Sequence, residues 1–338
     1  MSLELDRDPG DGRHERAPVG GSGGTKRQPS RADSPPRVRP GQTVNALSVD
    51  VEEYFQVTAL SERIGRNAWQ DHPSRVQDSV DKILELFADN GAKATFFVLG
   101  WIAERHPELV RRIAAGGHEI ASHGLEHVRV HEQTPAQFRG DVTRTRKILE
   151  DTTGTAVLGY RAASFSITPE MTWAYEILGE TGHRYSSSIQ PIRHDLYGAP
   201  RAPRFPFRPL EQATITELPI STVEVAGKRL PCGGGGYFRL FPYAYTRWAL
   251  NRVQARDGRP VMVYFHPWEV DPDQPRVSGL SAKSRFRHYT NLRRMTPKLH
   301  RLLRDFTWDR IDRVFASDIA QWNDGPSPSP RPYRSDRK

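Results

Sequence analysis

The stretch His118-Glu119-Ile120-Ala121-Ser122-His123-Gly124-Leu125-Glu126-His127 decides how this chain is read. It follows the helix stop Gly116-Gly117, and its first five residues predict a strand that delivers His123 at its C-terminal end. His123 and His127 stand at i and i+4. On a helical turn of about 3.6 residues, that spacing puts both imidazoles on one side, where they can bind one metal ion. About seventy residues upstream, an apolar run from Val44 to Val49 ends in Asp50-Val51-Glu52. Such an acidic strand end can supply a carboxylate ligand and a general base. Two His, one carboxylate and an open coordination position describe a catalytic zinc site rather than a structural one.

The same rhythm extends along the chain. Val76, Val80, Ile83, Leu84 and Phe87 recur at helical spacing up to Asn90-Gly91. Ala94–Leu99 predicts a buried strand, and Trp101 to Ala115 a helix. Thr134-Pro135-Ala136-Gln137 predicts a capped helix start, with that helix running to about Asp151. Val157–Tyr160 predicts a strand that delivers Arg161, and Thr168-Pro169 opens a helix closed near Gly182. After a less regular section with strand-like Thr214–Leu218, a helix is expected over Pro242–Arg256. Pro260–Phe265 predicts a buried strand ending at His266. Repeated β–loop–α units argue for an α/β fold with a parallel sheet or barrel, whose sites lie at the C-terminal ends of the strands. The run Gly233-Gly234-Gly235-Gly236 is followed by no Gly-Lys-Ser/Thr, so it predicts a flexible or close-approach loop beside the site rather than a phosphate cradle.

Composition sets the boundaries. Residues 1–42 and 325–338 are rich in Gly, Pro and Arg and poor in large apolar residues, so both are expected to be disordered tails. The remaining 43–324 fits one barrel-sized domain. The net charge is +9. Residues 1–40 carry eight Lys/Arg against six Asp/Glu, and 325–338 four against one, leaving +4 for the core. That excess does not indicate nucleic-acid binding. Arg285, Arg287, Arg293, Arg294, Lys298, Arg301 and Arg304 suit the solvated face of a basic helix over about 284–304. The single cysteine, Cys232, excludes an intramolecular disulfide and a Cys-based zinc site. No signal peptide or membrane span is recognisable, and the expectation by default is cytoplasmic.

The strand ends therefore present Asp50, Glu52, His123, His127, Arg161 and His266. No G-x-S-x-G elbow is present, so a metal-activated water is the economical nucleophile. A carboxylate takes the proton from that water. A His on another strand can protonate the leaving nitrogen, and Arg161 can orient the base. These parts make a metal-dependent amide hydrolase.

Asp50-Val51-Glu52, the Ser122–His127 segment, Gly159-Tyr160-Arg161-Ala162-Ala163-Ser164-Phe165-Ser166 and Tyr264-Phe265-His266-Pro267-Trp268-Glu269 resemble the ordered motifs of the NodB-homology polysaccharide deacetylases, carbohydrate esterase family 4. Ser187–Asp195 and Pro231–Arg239 add to the likeness, which is strongest to the subgroup found with exosortase-linked exopolysaccharide clusters. The resemblance implies a distorted (β/α) barrel whose C-terminal part, from about 190, is subgroup-specific. It also implies a divalent metal, zinc above all, and removal of N-acetyl groups from hexosamine units of a polysaccharide or oligosaccharide. By position Asp50 matches the base, His123 and His127 the metal histidines, Arg161 the arginine that tunes the base, and His266 the acid. Tyr237 and Trp268 are candidates for stacking on sugar rings, with core packing as their other reading.

One departure stands out. The family carries two adjacent aspartates in its first motif, the second a metal ligand, whereas Val51 follows Asp50 here. Residues i and i+2 of a strand share a face, which favours Glu52 as the ligand; a turn beginning at Asp50 would favour Glu53 instead. The ordinary role for Glu53 is a solvent-exposed carboxylate. His118 is expected to be a hydrogen-bonded core residue, and His131 a loop histidine. His194 or Asp195 could support His266, and Ser164 and Ser166 fit loop hydrogen-bonders. The competing function is hydrolysis of another C–N bond, in a small amide or ureide. A zinc protease is disfavoured because Gly124, not Glu, follows the first His. A non-catalytic glycan-binding barrel ranks low because the acid and base candidates are both retained.

Overall fold

The structure is a computed structural model that describes residues 41–168, 171–195, 197–211 and 214–323. The expected tails lie outside these residues except for Gly41 and Gln42, as does Pro169 of the expected helix start.

The chain begins with strand β1 (Val44–Val51), then helix α1 (Val76–Asn90), β2 (Thr95–Val98), α2 (Gly100–Arg105), α3 (Pro107–Ala115) and β3 (Glu119–Ser122). Next come α4 (Pro135–Thr153), β4 (Gly159–Tyr160), α5 (Thr172–Glu180), β5 (Tyr185–Ser186) and β6 (Thr216–Glu217). A hairpin of β7 (Thr222–Val225) and β8 (Lys228–Pro231) leads to α6 (Gly235–Leu240), α7 (Tyr243–Asp257) and β9 (Met262–Phe265). Helices α8 (Ala282–Tyr289) and α9 (Met295–Asp305), strand β10 (Thr307–Asp309), α10 (Ile311–Val314) and α11 (Ala316–Asn323) complete the described chain.

Eight strands form one parallel sheet in the order β10-β1-β2-β3-β4-β5-β6, with β9 also paired to β1. β6 pairs only with β5 among these strands, so the sheet is an open, distorted barrel. The strand β1 is buried on both faces, as a parallel strand between two layers must be. Leu47, Val49 and Val51 join the core that α1, α7 and α9 cover. Ala46, Ser48 and Asp50 alternate with them and face the barrel interior, where Ala46 packs with Phe97, Met262 and Tyr264.

Local signals explain most boundaries. Gly91, at φ +62°, ends α1 in the left-handed conformation that favours glycine. Thr134 and Gln137 form a reciprocal capping box at the start of α4. The expected helix over Trp101–Ala115 is instead two, because Pro107 cannot continue α2 and starts α3 at its first position. The expected basic helix over 284–304 is also split, at Thr290 and the left-handed Asn291. Lys298 is not on a solvated face. Its ammonium donates to the carbonyls of Phe238, Arg239 and Phe241 at 2.7–2.9 Å, holding the C-terminal end of α6.

The glycine run is a close-approach segment. A Cβ on Gly233 would sit 2.3 Å from the Met262 carbonyl oxygen, and one on Gly235 would sit 2.3 Å from Glu269 Oε1. Gly233 accepts from Tyr264 N–H at 2.9 Å, binding this segment to β9. The run also opens α6 rather than remaining a loop.

The Tyr185 side chain packs against Gly159 across the β4–β5 pair. A Cβ on Gly159 would lie 2.2 Å from the Tyr185 ring, whose hydroxyl donates to Glu119 at 2.8 Å. Gly159→Ala is expected to destabilise the fold by ~1–3 kcal/mol, the usual cost of overpacking. An unchanged midpoint in denaturant unfolding would show that the ring can turn aside freely.

Candidate active site

Successive strand ends build the site. β1 supplies Asp50 and, just beyond it, Glu52. The turn after β3 supplies His123 and His127, the end of β4 supplies Arg161, and the end of β9 supplies His266. Asp50, Glu52, His123, His127 and His266 line a cleft of about 360 Å³ that also includes Tyr237, Trp268 and Glu269, while Arg161 is buried behind Asp50.

The two histidines converge without a helical turn. Residues 123–127 are irregular, with Gly124 at φ +79° and His127 at φ +52°. The i, i+4 helical premise is therefore corrected. A half-buried carboxylate shapes the turn instead, as Asp141 accepts from Leu125 N–H at 3.1 and 3.2 Å. Left-handed φ is uncommon for a residue with a side chain, and such backbone is concentrated at functional sites. One ligand atom each from Glu52, His123 and His127 lie within 4.8 Å of one another, and all three residues are buried.

Both imidazoles suit a cation. Burial holds His123 below its ordinary pKa and His127 well below it, which favours the neutral, ligating form. His123 Nδ1 lies 2.9 Å from the Arg161 carbonyl oxygen, and a bond donated there leaves Nε2 with its lone pair free. Glu52 Oε1 accepts from Trp268 Nε1 at 3.1 Å. Its Oε2 is buried 3.1 Å from His127 Nε2 but makes no hydrogen bond. Burial, opposed by His266 and the Trp268 hydrogen bond, pushes the Glu52 carboxyl up to about 7. An orphaned carboxylate oxygen beside two neutral imidazoles is a donor set that a divalent ion would satisfy.

Glu53 goes elsewhere. It is 1% exposed, so it is not a solvated carboxylate. It accepts from Ser74 Oγ and from the backbone N–H groups of Arg75 and Val76, anchoring the start of α1. Val51 is buried in the core on the opposite face of β1.

Asp50 and Arg161 form a buried pair. Arg161 Nη1 donates to Asp50 Oδ1 at 2.6 Å and to Ser48 Oγ at 2.9 Å. Its Nε and Nη2 donate to the Ser187 carbonyl and hydroxyl, both at 3.0 Å, and Nη2 also reaches Met262 Sδ at 3.6 Å. The five N–H groups of the guanidinium thus all have acceptors.

Sequence reasoning missed the partner of His266. His266 Nδ1 lies 2.7 Å from Glu269 Oε1, not against His194 or Asp195. His194 stacks on Tyr197, and Asp195 pairs with Lys283 and Arg287. Glu269 is held in turn by the buried Arg239, whose Nε donates to it at 3.1 Å. Burial works against charged His266. The Glu269 hydrogen bond and the charges of Glu52, Glu269 and Asp50 outweigh it and push the imidazole up to about 9. His266 Nε2 faces Asp50 Oδ2 at 3.9 Å and Glu52 Oε1 at 3.6 Å. The spacing His-x-x-Glu across a tight turn was the available signal.

Trp268 has less ring to offer a sugar than expected. It is 8% exposed and stacks on both His266 and His288. Tyr237 lines the cleft, half-buried against Phe241. His118 accepts from Ala94 N–H at 3.2 Å and lies in the core, where burial pushes it down to about 3. Ser166 Oγ accepts from Val130 N–H at 2.9 Å, and Ser164 Oγ lies 2.6 Å from Thr58 Oγ1.

Residues 68–183 match the polysaccharide deacetylase family model. This stretch is similar to polysaccharide deacetylase domains. Residues 187–316 match a separate family described as a domain of unknown function, DUF3473. A peptidoglycan-N-acetylglucosamine deacetylase of Bacillus cereus is 34% identical over 96 residues, covering 28% of this chain and 35% of that protein. A chitooligosaccharide deacetylase of Bradyrhizobium is 28% identical over 96 residues, covering 28% of this chain and 42% of that protein. The chain thus matches well under half the length of these curated relatives. A Mycobacterium smegmatis crystal structure assigned to the polysaccharide deacetylases aligns over 89% of this chain and 99% of its own, at 21% identity and a TM-score of 0.52. That likeness establishes the shared α/β barrel fold. The site straddles both matched stretches. His123, His127 and Arg161 fall in the first matched stretch, His266 and Glu269 fall in the second, and Asp50 and Glu52 precede both.

The two adjacent glutamates can be separated experimentally. Glu52→Ala is expected to abolish stoichiometric metal in the purified protein, as is the double change His123→Ala with His127→Ala. Glu53→Ala is expected to keep the metal while losing ~1–3 kcal/mol of stability through unmet hydrogen bonds at the start of α1. Elemental analysis beside thermal unfolding checks both. Metal retained in Glu52→Ala and lost in Glu53→Ala would reverse the assignment.

Proposed function

We propose that the protein hydrolyses N-acetyl groups from N-acetylhexosamine units of a polysaccharide or oligosaccharide, releasing acetate and leaving a free amine. The observation that carries this reading is one cleft holding a buried Glu52–His123–His127 cluster, a carboxylate fixed by an arginine, and a histidine paired with Glu269. The names of the relatives supply the substrate class. The match of residues 187–316 to a second family supports a distinct C-terminal part, and the exopolysaccharide-associated reading rests on the motifs alone.

Glu52, His123 and His127 would hold a divalent ion, with zinc favoured by the nitrogen-rich donor set. When bound, such an ion polarises an acyl oxygen and lowers the pKa of water. The remaining work falls to the chain's own groups. Arg161 fixes Asp50 through Oδ1, leaving Oδ2 toward His266 and the cleft. Asp50 receives a proton as water oxygen bonds to the acyl carbon. Glu269 holds His266 through Nδ1, so Nε2 is the nitrogen left to face the substrate. Nε2 gives its proton to the departing nitrogen as the C–N bond breaks, which balances the reaction.

Acetate release from N-acetylglucosamine oligomers by the zinc-loaded protein tests the reading. Turnover of small ureides with none of oligosaccharides would favour the other C–N hydrolase. Asp50→Asn and His266→Ala are each expected to lower the rate by about 10²–10⁴-fold. Metal content should survive His266→Ala; its loss there would make His266 a ligand.

The acid role also has a pH signature. A group raised to about 9 is protonated at neutral pH and loses its proton as the pH rises through that value, so activity should fall on the alkaline side. Glu269→Gln removes the carboxylate that favours the charged imidazole. It is expected to move that alkaline limb to lower pH, and an unmoved limb would mean that another group sets it.

A further inference from the structure

The second wall of the cleft comes from α8, inside the stretch matched to the family of unknown function. Lys283, Phe286 and Arg287 stand at i, i+3 and i+4 of that helix and all three line the cleft, as the spacing requires of one helix face. Phe286 is 55% exposed, an unusual exposure for a phenylalanine and one that leaves ring surface free at the cleft. The helix is fixed from behind. Arg239, which holds Glu269, also donates to the carbonyls of Arg287, His288 and Thr290 at 2.6–3.2 Å. The catalytic histidine's support and the position of this wall therefore share one buried guanidinium.

The charges on the wall are only half matched. Lys283 and Arg287 both converge on a single carboxylate, Asp195. Arg287 uses Nη2 alone, at 2.6 and 2.8 Å from the two Asp195 oxygens, and its Nε and Nη1 make no hydrogen bond among the described residues. A guanidinium presents five donors in a planar fork suited to a carboxylate, and most of that fork is unused here. Two cations against one anion leave a net positive charge on the rim, beside an exposed aromatic ring.

We propose that Lys283, Phe286 and Arg287 form a subsite for an acidic sugar neighbouring the N-acetylated unit, so that the substrate is a carboxylate-bearing glycan. The proposal rests on the deacetylase reading and adds a specificity to it. Phe286 offers a platform for the apolar face of a pyranose ring. Arg287 and Lys283 bind the carboxylate of the adjacent unit, with Asp195 acting as the internal anion that the substrate displaces or joins.

The test compares two probes of equal length: an N-acetylglucosamine tetramer, and a tetramer alternating N-acetylglucosamine with glucuronic acid. The zinc-loaded full chain should prefer the acidic probe by about tenfold in kcat/KM at low salt, with the preference shrinking as NaCl is raised. Replacing Lys283→Gln and Arg287→Gln together should remove that ratio mainly through KM, and Asp195→Asn should increase it. Equal kcat/KM for the two probes in the parent would overturn the proposal. So would a double variant that loses both substrates in the same proportion. Calorimetric binding of the acidic probe keeps the two readings distinct. Acetate from neither probe overturns deacetylation, whereas salt-sensitive binding lost in the double variant upholds the subsite on its own.

Discussion

The buried pair between Asp50 and Arg161 is the constraint around which the barrel interior is arranged. A guanidinium with no solvent contact must find acceptors for all of its N–H groups, and it takes them from β1, from the segment after β5 and from β9. The Phe97 ring covers it at 4.0 Å. Removing one member of such a pair leaves the other charge buried without compensation, at a cost of roughly 3–5 kcal/mol. The interior therefore admits few alternatives: Ser48, Ser187 and Met262 are as much a part of the candidate site as the residues that line the cleft.

From that pair the site extends in two directions. On one side the Arg161 carbonyl fixes the His123 ring, which links Asp50 and the Glu52–His123–His127 cluster through one residue's backbone and side chain. On the other, the chain from His266 through Glu269 to Arg239 reaches α8. No single matched family contains the whole arrangement. The stretch matched to the polysaccharide deacetylases carries the histidine pair and the arginine, while the C-terminal match carries His266, its glutamate and the second wall. The two stretches cannot be independent in function if the proposed reaction holds.

Much of this was legible in the sequence because strand ends in a parallel sheet are marked by apolar runs that stop at polar residues. Val44–Val51, Thr95–Val98, Glu119–Ser122 and Met262–Phe265 were all foreshadowed in that way, as was the alternation that sends Val51 and Glu52 to opposite sides. What periodicity could not show was long-range hydrogen bonding. The convergence of His123 and His127 was expected on a helix. It arises instead from a glycine turn held by Asp141, sixteen residues beyond Leu125. Strand β10 has only three residues, too few for a pattern, and exists because β1 offers it a pairing edge. Glu269 and Arg239 were both visible inside quoted motifs. Their role depends on Gly235, which has no side chain to block Glu269's approach.

The neighbouring carboxylates Glu52 and Glu53 have opposite surroundings, one beside His123 and His127 and the other gripping the start of α1. Their shared peptide link makes the candidate metal site and the outer helical layer mechanically continuous. Anything that binds only the folded arrangement stabilises it in proportion to its occupancy. A bound ion would thus tighten α1 from within, and substitutions at Ser74 or along the first turn of α1 would tune metal affinity from outside the cleft. The lever would lie on a helix that contributes no residue to the Glu52–His123–His127 cluster.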